Sequence, residues 1–281
     1  MKTVLTTFAA AAISLTALTA DAANVLVVLS DAHSLELKDG KRFATGFYLN
    51  ELMQPVKLLR DAGHQLTFAT PLGKTPAVDK NSVDAMYFGG DRQALAVHSK
   101  LLDELRITDA SASAVVSLDE IERRGYGRYD AVYIPGGHAP MQDLLTSPKL
   151  GKLLRAFHAA AKPTALVCHG PIALMAAMDD APGYARKLAG QQTVAVPNWI
   201  YKGYQVTVFS NVEEEASKAQ LNGGQMKFYP QSALEQAGLR FSAAAMWQPH
   251  MVVDRELITG QNPASAPLVG EELKRRLATI K

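Results

Sequence analysis

Apolar residues along this chain switch repeatedly between the spacing of buried strands and the spacing of helices. Asn24 to Ser30 (NVLVVLS) is an unbroken apolar run, the mark of a strand buried on both faces of a parallel sheet. Residues 46–62 then carry Leu49, Leu52, Met53, Val56 and Leu59 on one helical face and end at Gly63. Gln65 to Thr70 predicts a second strand, closed by Pro71-Leu72-Gly73. Residues 74–95 show little periodicity, and helices are expected over 96–106 and 117–124. Ala131 to Ile134 predicts a strand that Pro135-Gly136-Gly137 breaks, followed by an amphipathic helix over 149–161 and a buried strand over 164–167. A helix over 172–178 comes next, then short β segments near 193–197 and 205–209, and helices over 211–220 and 230–237. Asp254-Arg255-Glu256 predicts a hairpin turn, and residues 264–280 a last helix with Leu268, Leu273 and Leu277 as its apolar face.

Strands alternating with helices define the α/β class, with a largely parallel sheet. No repeat or low-complexity linker interrupts the pattern, so residues 23–281 read as one domain, with 74–125 as an insertion or lid. Composition agrees: 281 residues, 48% hydrophobic and 20% charged, form an ordinary globular chain. A net charge of +2 and the lack of a basic run argue against a nucleic-acid partner. Residues 1–22 differ from the rest. Lys2, an apolar stretch from Val4 to Ala20, and the small-x-small string Ala20-Asp21-Ala22 predict a signal peptide cleaved after Ala22. Export, to a periplasm, is the expectation, with no stable membrane insertion afterwards because no later segment is apolar enough to span. The seven histidines and the single cysteine show no metal-ligand spacing, so no metal is expected.

That cysteine, Cys168, stands where the 164–167 strand meets Gly170-Pro171 and the following helix. Such a turn lifts a side chain clear of the sheet edge, and a helix N-terminus favours the nucleophilic thiolate. Gly136-Gly137 and the acidic run Glu213-Glu214-Glu215 also follow predicted strands. Ligands of open parallel sheets bind beyond the strands' carboxyl ends, so these elements are expected to converge there.

The string Ala165-Leu-Val-Cys-His-Gly-Pro171 resembles the elbow of the DJ-one/PfpI superfamily, in its branch of heat-shock chaperone-like proteins and glutathione-independent glyoxalases. Four further segments match that branch in order: 45–51 (TGFYLNE), 134–138 (IPGGH), 209–214 (FSNVEE) and 257–266 (LITGQNPASA). The resemblance implies a flavodoxin-like sandwich with helices on both faces of the sheet. It also implies that Cys168 is the nucleophile, that His169 is its base or acid, and that Glu51 lies against the sulfur. Glu214 would orient His169, with Glu213 and Glu215 each one residue away from that role. Backbone at Gly136, Gly137 and His169 would bind an oxyanion or substrate. Trp247 and His250 are candidates for the pocket wall, and Asn262-Pro263-Ala264-Ser265 for a structural turn beside it. The implied activity is a cofactor-independent lyase converting methylglyoxal, a small reactive aldehyde, to lactate through a cysteine hemithioacetal. A cysteine amidase or peptidase is the enzymatic alternative, although no downstream H-x-E follows Cys168. A holding chaperone or oxidant sensor is the non-enzymatic one. A homodimer is compatible with each.

Overall fold

The computed structural model describes residues 22–280; the expected signal segment therefore lies, Ala22 apart, outside the described residues. Seven strands form the central sheet. In spatial order they are Met251–Asp254, Leu257–Gly260, Thr164–Val167, Ala131–Ile134, Asn24–Val28, Gln65–Thr70 and Val116–Ser117. All neighbours run parallel except the first pair, an antiparallel hairpin turning at Asp254 and Leu257. The α/β class with a largely parallel sheet expected from the alternation is therefore present.

The apolar run at 24–28 explains why the sheet is covered twice. Val25 and Val27 belong to one core with Leu49, Leu52 and Val56, whereas Leu26 and Val28 belong to the other with Leu150, Leu153 and Phe157. Helices Leu49–Asp61, Arg92–Leu105 and Ala266–Leu277 cover the first face. Pro148–Ala159 and the Gly170–Ala177 turn cover the second. Leu52 and Leu153 are fully enclosed, and each such side chain contributes about 1.5–3 kcal/mol by leaving water.

Some elements depart from the expected pattern. The first helix begins at Leu49 rather than residue 46, because Phe47 is extended and bridged to Val78. Its first free N–H, on Leu49, is taken by Ser82 Oγ at 2.9 Å. The stretch expected to be featureless thus clamps the start of the helix that carries Glu51. The next helix starts at Arg92, capped by Asp91, which accepts from the N–H groups of Gln93 and Ala94. Residues 172–178 are not an α-helix: Gly170–Ala177 is a 3₁₀ turn, buried throughout. It packs so closely on the Pro148–Ala159 helix that a Cβ on Gly151 would lie 2.0 Å from the Ala176 carbonyl oxygen. An unexpected helix, Ala181–Ala189, follows, capped by Asp180. No strand forms at 193–197, where Val196 is exposed and Pro197 has no N–H to donate; the short ribbon there pairs Gln205–Val206 with Arg240–Phe241. On the last helix Leu268 faces solvent, and Val269 joins Leu273 and Leu277 in the core instead.

Candidate active site

Register places the pieces. Ile134 lies opposite Leu166 on adjacent parallel strands, so two residues further on Gly136 arrives beside Cys168. Cys168 itself adopts φ +60°, the left-handed region that a non-glycine residue occupies only under constraint. Two backbone bonds hold it there. Its N–H donates to the Gly260 carbonyl at 2.9 Å, and its own carbonyl accepts the Phe209 N–H at 3.0 Å. The sharp turn expected from the sequence is thus held by the Leu257–Gly260 strand on one side and the loop at Phe209 on the other. Gly136 leaves the necessary room: a Cβ there would lie 2.7 Å from each of Cys168 Cβ, Glu51 Oε2 and His169 N.

Cys168 Sγ lies 3.2 Å from His169 Nδ1, and His169 Nε2 lies 3.0 Å from Glu214 Oε1. Of the three candidate glutamates, Glu214 is the one that reaches the imidazole. Glu215 is exposed and bonds Tyr229 and Lys218. The His169 ring is sandwiched between Phe209, stacked at 4.7 Å, and His138, tilted at 4.4 Å. Burial pushes His169 down to about 3, so the imidazole is neutral at physiological pH. Burial pushes Glu214 up to about 7. With Glu214 ionised, Nε2–H donates to it and Nδ1 is left as an acceptor facing the thiol.

Glu51 sits in the first turn of its helix yet is wholly buried. Its Oε2 accepts the Gly136 N–H at 2.8 Å. That N–H is therefore committed to the carboxyl; the N–H groups of Gly137 and His169 favour the thiolate, and that of Gly137 favours the Glu51 carboxylate as well. Burial raises Glu51 to about 8, partly offset by its contact with Cys168. The sequence led us to expect a thiol pulled down by a helix N-terminus. The structure reverses that: burial and the neighbouring Glu51 push Cys168 up, and the turn that follows is only a 3₁₀ segment. Each group opposes the charging of the other, so their titrations are coupled.

Glu213 has a role that sequence reasoning missed. It accepts from Ser210 N and Oγ, Gln261 Nε2, Asn262 Nδ2 and Trp247 N, at 2.7–3.0 Å. Through these bonds it ties the 257–266 segment and Trp247 to the helix bearing Glu214. The bond to Trp247 N secures a backbone at φ +65°, a strained state for a bulky residue. Trp247 does reach the cavity wall; His250 does not, and pairs with Ser242. His138 was also missed. Its place beside His169 depends on strand register, for which the Pro-Gly-Gly-His string gives no sign.

A cavity of about 490 Å³ opens onto Cys168 and His169, between the 3₁₀ turn Ala85–Phe88 and the Asn262-Pro263-Ala264 turn. No metal cluster was expected from spacing. Yet His138, His169 and Glu214 bring ligand atoms within 4.8 Å of one another, the one such group among the described residues. An ion held there would take over the atoms that make the His169–Glu214 hydrogen bond.

An elbow cysteine flanked by a histidine and a buried carboxylate, at the carboxyl edge of a parallel sheet, defines an α/β protein with a candidate cysteine site. The chain belongs to the ThiJ/PfpI-like family, whose profile, described as "ThiJ/PfpI family-like", matches residues 43–225. It is 24% identical over 251 residues to "Protein/nucleic acid deglycase HchA" of Pseudomonas aeruginosa, covering 88% of this chain and 78% of that protein. It is 28% identical over 261 residues to "Probable glutathione-independent glyoxalase hsp3103" of Schizosaccharomyces pombe, covering 86% of this chain and 94% of that protein. Among solved structures, the Rapid Encystment Protein of Francisella tularensis shares the fold with a TM-score of 0.69 at 24% identity, over 91% of this chain and 99% of its own. Glyoxalase III of Candida albicans does so with a TM-score of 0.62 at 20% identity, over 90% and 96%.

Proposed function

We propose that the protein is a glutathione-independent glyoxalase that converts methylglyoxal and water to lactate. The observation that carries this reading is Glu51. It is a buried carboxyl raised to about 8, gripped by Gly136 N–H and set against the Cys168 thiol. A hydrolase needs the cysteine and histidine but has no use for a second proton carrier on the other side of the sulfur.

In this scheme the Cys168 sulfur bonds to the aldehyde carbon, and its proton passes by way of His169 to the aldehyde oxygen, giving a hemithioacetal. Glu51 removes the hydrogen left on that carbon and returns a proton to the neighbouring carbon through an enediol, leaving a thioester. The N–H groups of Gly137 and His169 stabilise the charge that develops on oxygen. Water activated by the neutral His169 cleaves the thioester, releasing lactate and restoring the thiol. Glu214 holds the ring so that Nδ1 faces the reacting atoms, and it stabilises the imidazolium formed while His169 carries a proton.

The relatives' names support this reading together with a second, removal of the same aldehyde from protein or nucleic-acid amines, which the deglycase relatives suggest. Incubating residues 23–281 with methylglyoxal alone, and separately with a pre-glycated peptide, separates them. Lactate from the free aldehyde supports the first reading; lactate from the adduct alone supports the second. We further propose that residues 1–22 direct export, on the strength of Lys2, the apolar stretch and Ala20-Asp21-Ala22.

A further inference from the structure

We propose that the site is shaped for α-oxoaldehydes bearing an uncharged aromatic or bulky apolar substituent, and that it processes phenylglyoxal in preference to methylglyoxal. The proposal rests on the glyoxalase reading and adds the substrate class. Size is the first argument. At the ~30 Å³ that a water claims in the liquid, the heavy atoms of methylglyoxal fill roughly 150 Å³ at most. The cavity offers about 490 Å³.

The walls are the second. One side is a continuous run of rings from the reacting sulfur outward. His169 stacks on Phe209, and Phe209 meets Trp247 at 5.8 Å. Tyr48 and Tyr87, edge to face at 5.3 Å, add two more rings to the lining. No lysine, arginine, aspartate or glutamate lines the cavity. A phosphate or carboxylate on the substrate would therefore be desolvated with no opposite charge to meet it, only neutral polar groups such as Gln54, Ser217 and Gln220, whereas an aryl ring gains offset or edge-to-face contacts.

Trp247 is the third. Its left-handed backbone is secured by the Glu213 carboxylate, so its ring is held at the cavity mouth by the same group that anchors the Glu214 helix. An aryl substituent offers the Phe209–Trp247 wall a ring face to pack on, which a methyl group lacks. The chemistry is unchanged and balances: phenylglyoxal plus water gives mandelate, through the same thiol addition, proton transfer and thioester hydrolysis.

Two measurements test this. The first compares kcat/KM for mandelate and lactate formation in the wild-type protein, Trp247→Ala and Trp247→Phe. We expect a preference for phenylglyoxal of about tenfold or more, largely kept in Trp247→Phe and falling toward unity in Trp247→Ala. Equal or better use of methylglyoxal, or a ratio untouched by Trp247→Ala, overturns the proposal. The second titrates Cys168→Ser calorimetrically with 2-hydroxyacetophenone and with hydroxyacetone, which need no chemistry. Tighter binding of the aryl ketone by about tenfold is expected, and indifference overturns the proposal. If the aryl ketone is preferred but neither aldehyde is turned over, the glyoxalase reading fails while the cavity's preference stands.

Discussion

Glu51 Oε2 accepts the backbone N–H of Gly136 at 2.8 Å, and a Cβ on that glycine would lie only 2.7 Å from the same oxygen. The carboxyl is thereby fixed in a dry site beside Cys168, where burial raises it to about 8. Between its ordinary value of 4.5 and about 8 the folded protein keeps a proton that the unfolded chain has released. The folded state then binds more protons, so stability falls as pH rises through that window.

Glu51→Gln should remove this dependence. The variant should melt like the parent near pH 5 and be more stable above pH 8, by a difference on the order of a few kcal/mol. Urea unfolding at both pH values checks it. The same variant should lose turnover on the order of 100-fold or more, together with the rising limb of the pH–rate profile near 8. Parent-like activity would return Glu51 to a purely structural role.

Gly136→Ala puts a methyl group against Cys168, Glu51 and the His169 backbone at once. Overpacking of this kind costs about 1–3 kcal/mol. A lowered denaturation midpoint with lost turnover is expected. An unchanged midpoint would show that the strand after Ile134 yields more easily than the register suggests.

Glu213 and Glu214 are neighbours with separable tasks. Glu214→Gln should lower kcat by roughly 100-fold or more, through loss of His169 orientation, with little loss of stability. Glu213→Ala strands buried donors on Gln261, Asn262 and Trp247, at about 1–3 kcal/mol for each left unpaired. Its main effect should be on the melting temperature. Were the two variants to behave alike, the division of labour drawn from the hydrogen bonds would be wrong.

Export makes a separate claim. The mature protein, recovered from cells, should begin at Ala23 by intact mass; a chain retaining Met1 would contradict cleavage after Ala22.

Much of this architecture is legible in the chain because it rests on local signals. Val25–Val28 and Ala165–Val167 are short apolar runs at the ends of loops, so the strands and the Cys168 elbow can be read directly. The place of Glu51 came from the resemblance, since a carboxylate in the first turn of a helix ordinarily faces water. Glu213 was hidden for a related reason. Ser210 and Glu213 form a capping box, and that local role masks the three further donors Glu213 gathers from distant segments. The ring sandwich around His169 depends on which strands are neighbours, and no local pattern encodes that. The 3₁₀ form of Gly170–Ala177 reflects tertiary packing overriding composition, whereas the missing strand at 193–197 has a local cause in Pro197, which cannot donate to a ladder.

The central claim is that Cys168 adds to an α-oxoaldehyde and Glu51 moves the proton through an enediol. The most direct measurement follows methylglyoxal by proton and carbon NMR in D₂O, with the wild-type protein and Cys168→Ser side by side. The account predicts lactate carrying solvent deuterium at the carbon bearing the hydroxyl, formed by the wild type and not by the serine variant. Lactate formed by Cys168→Ser at the wild-type rate would contradict it.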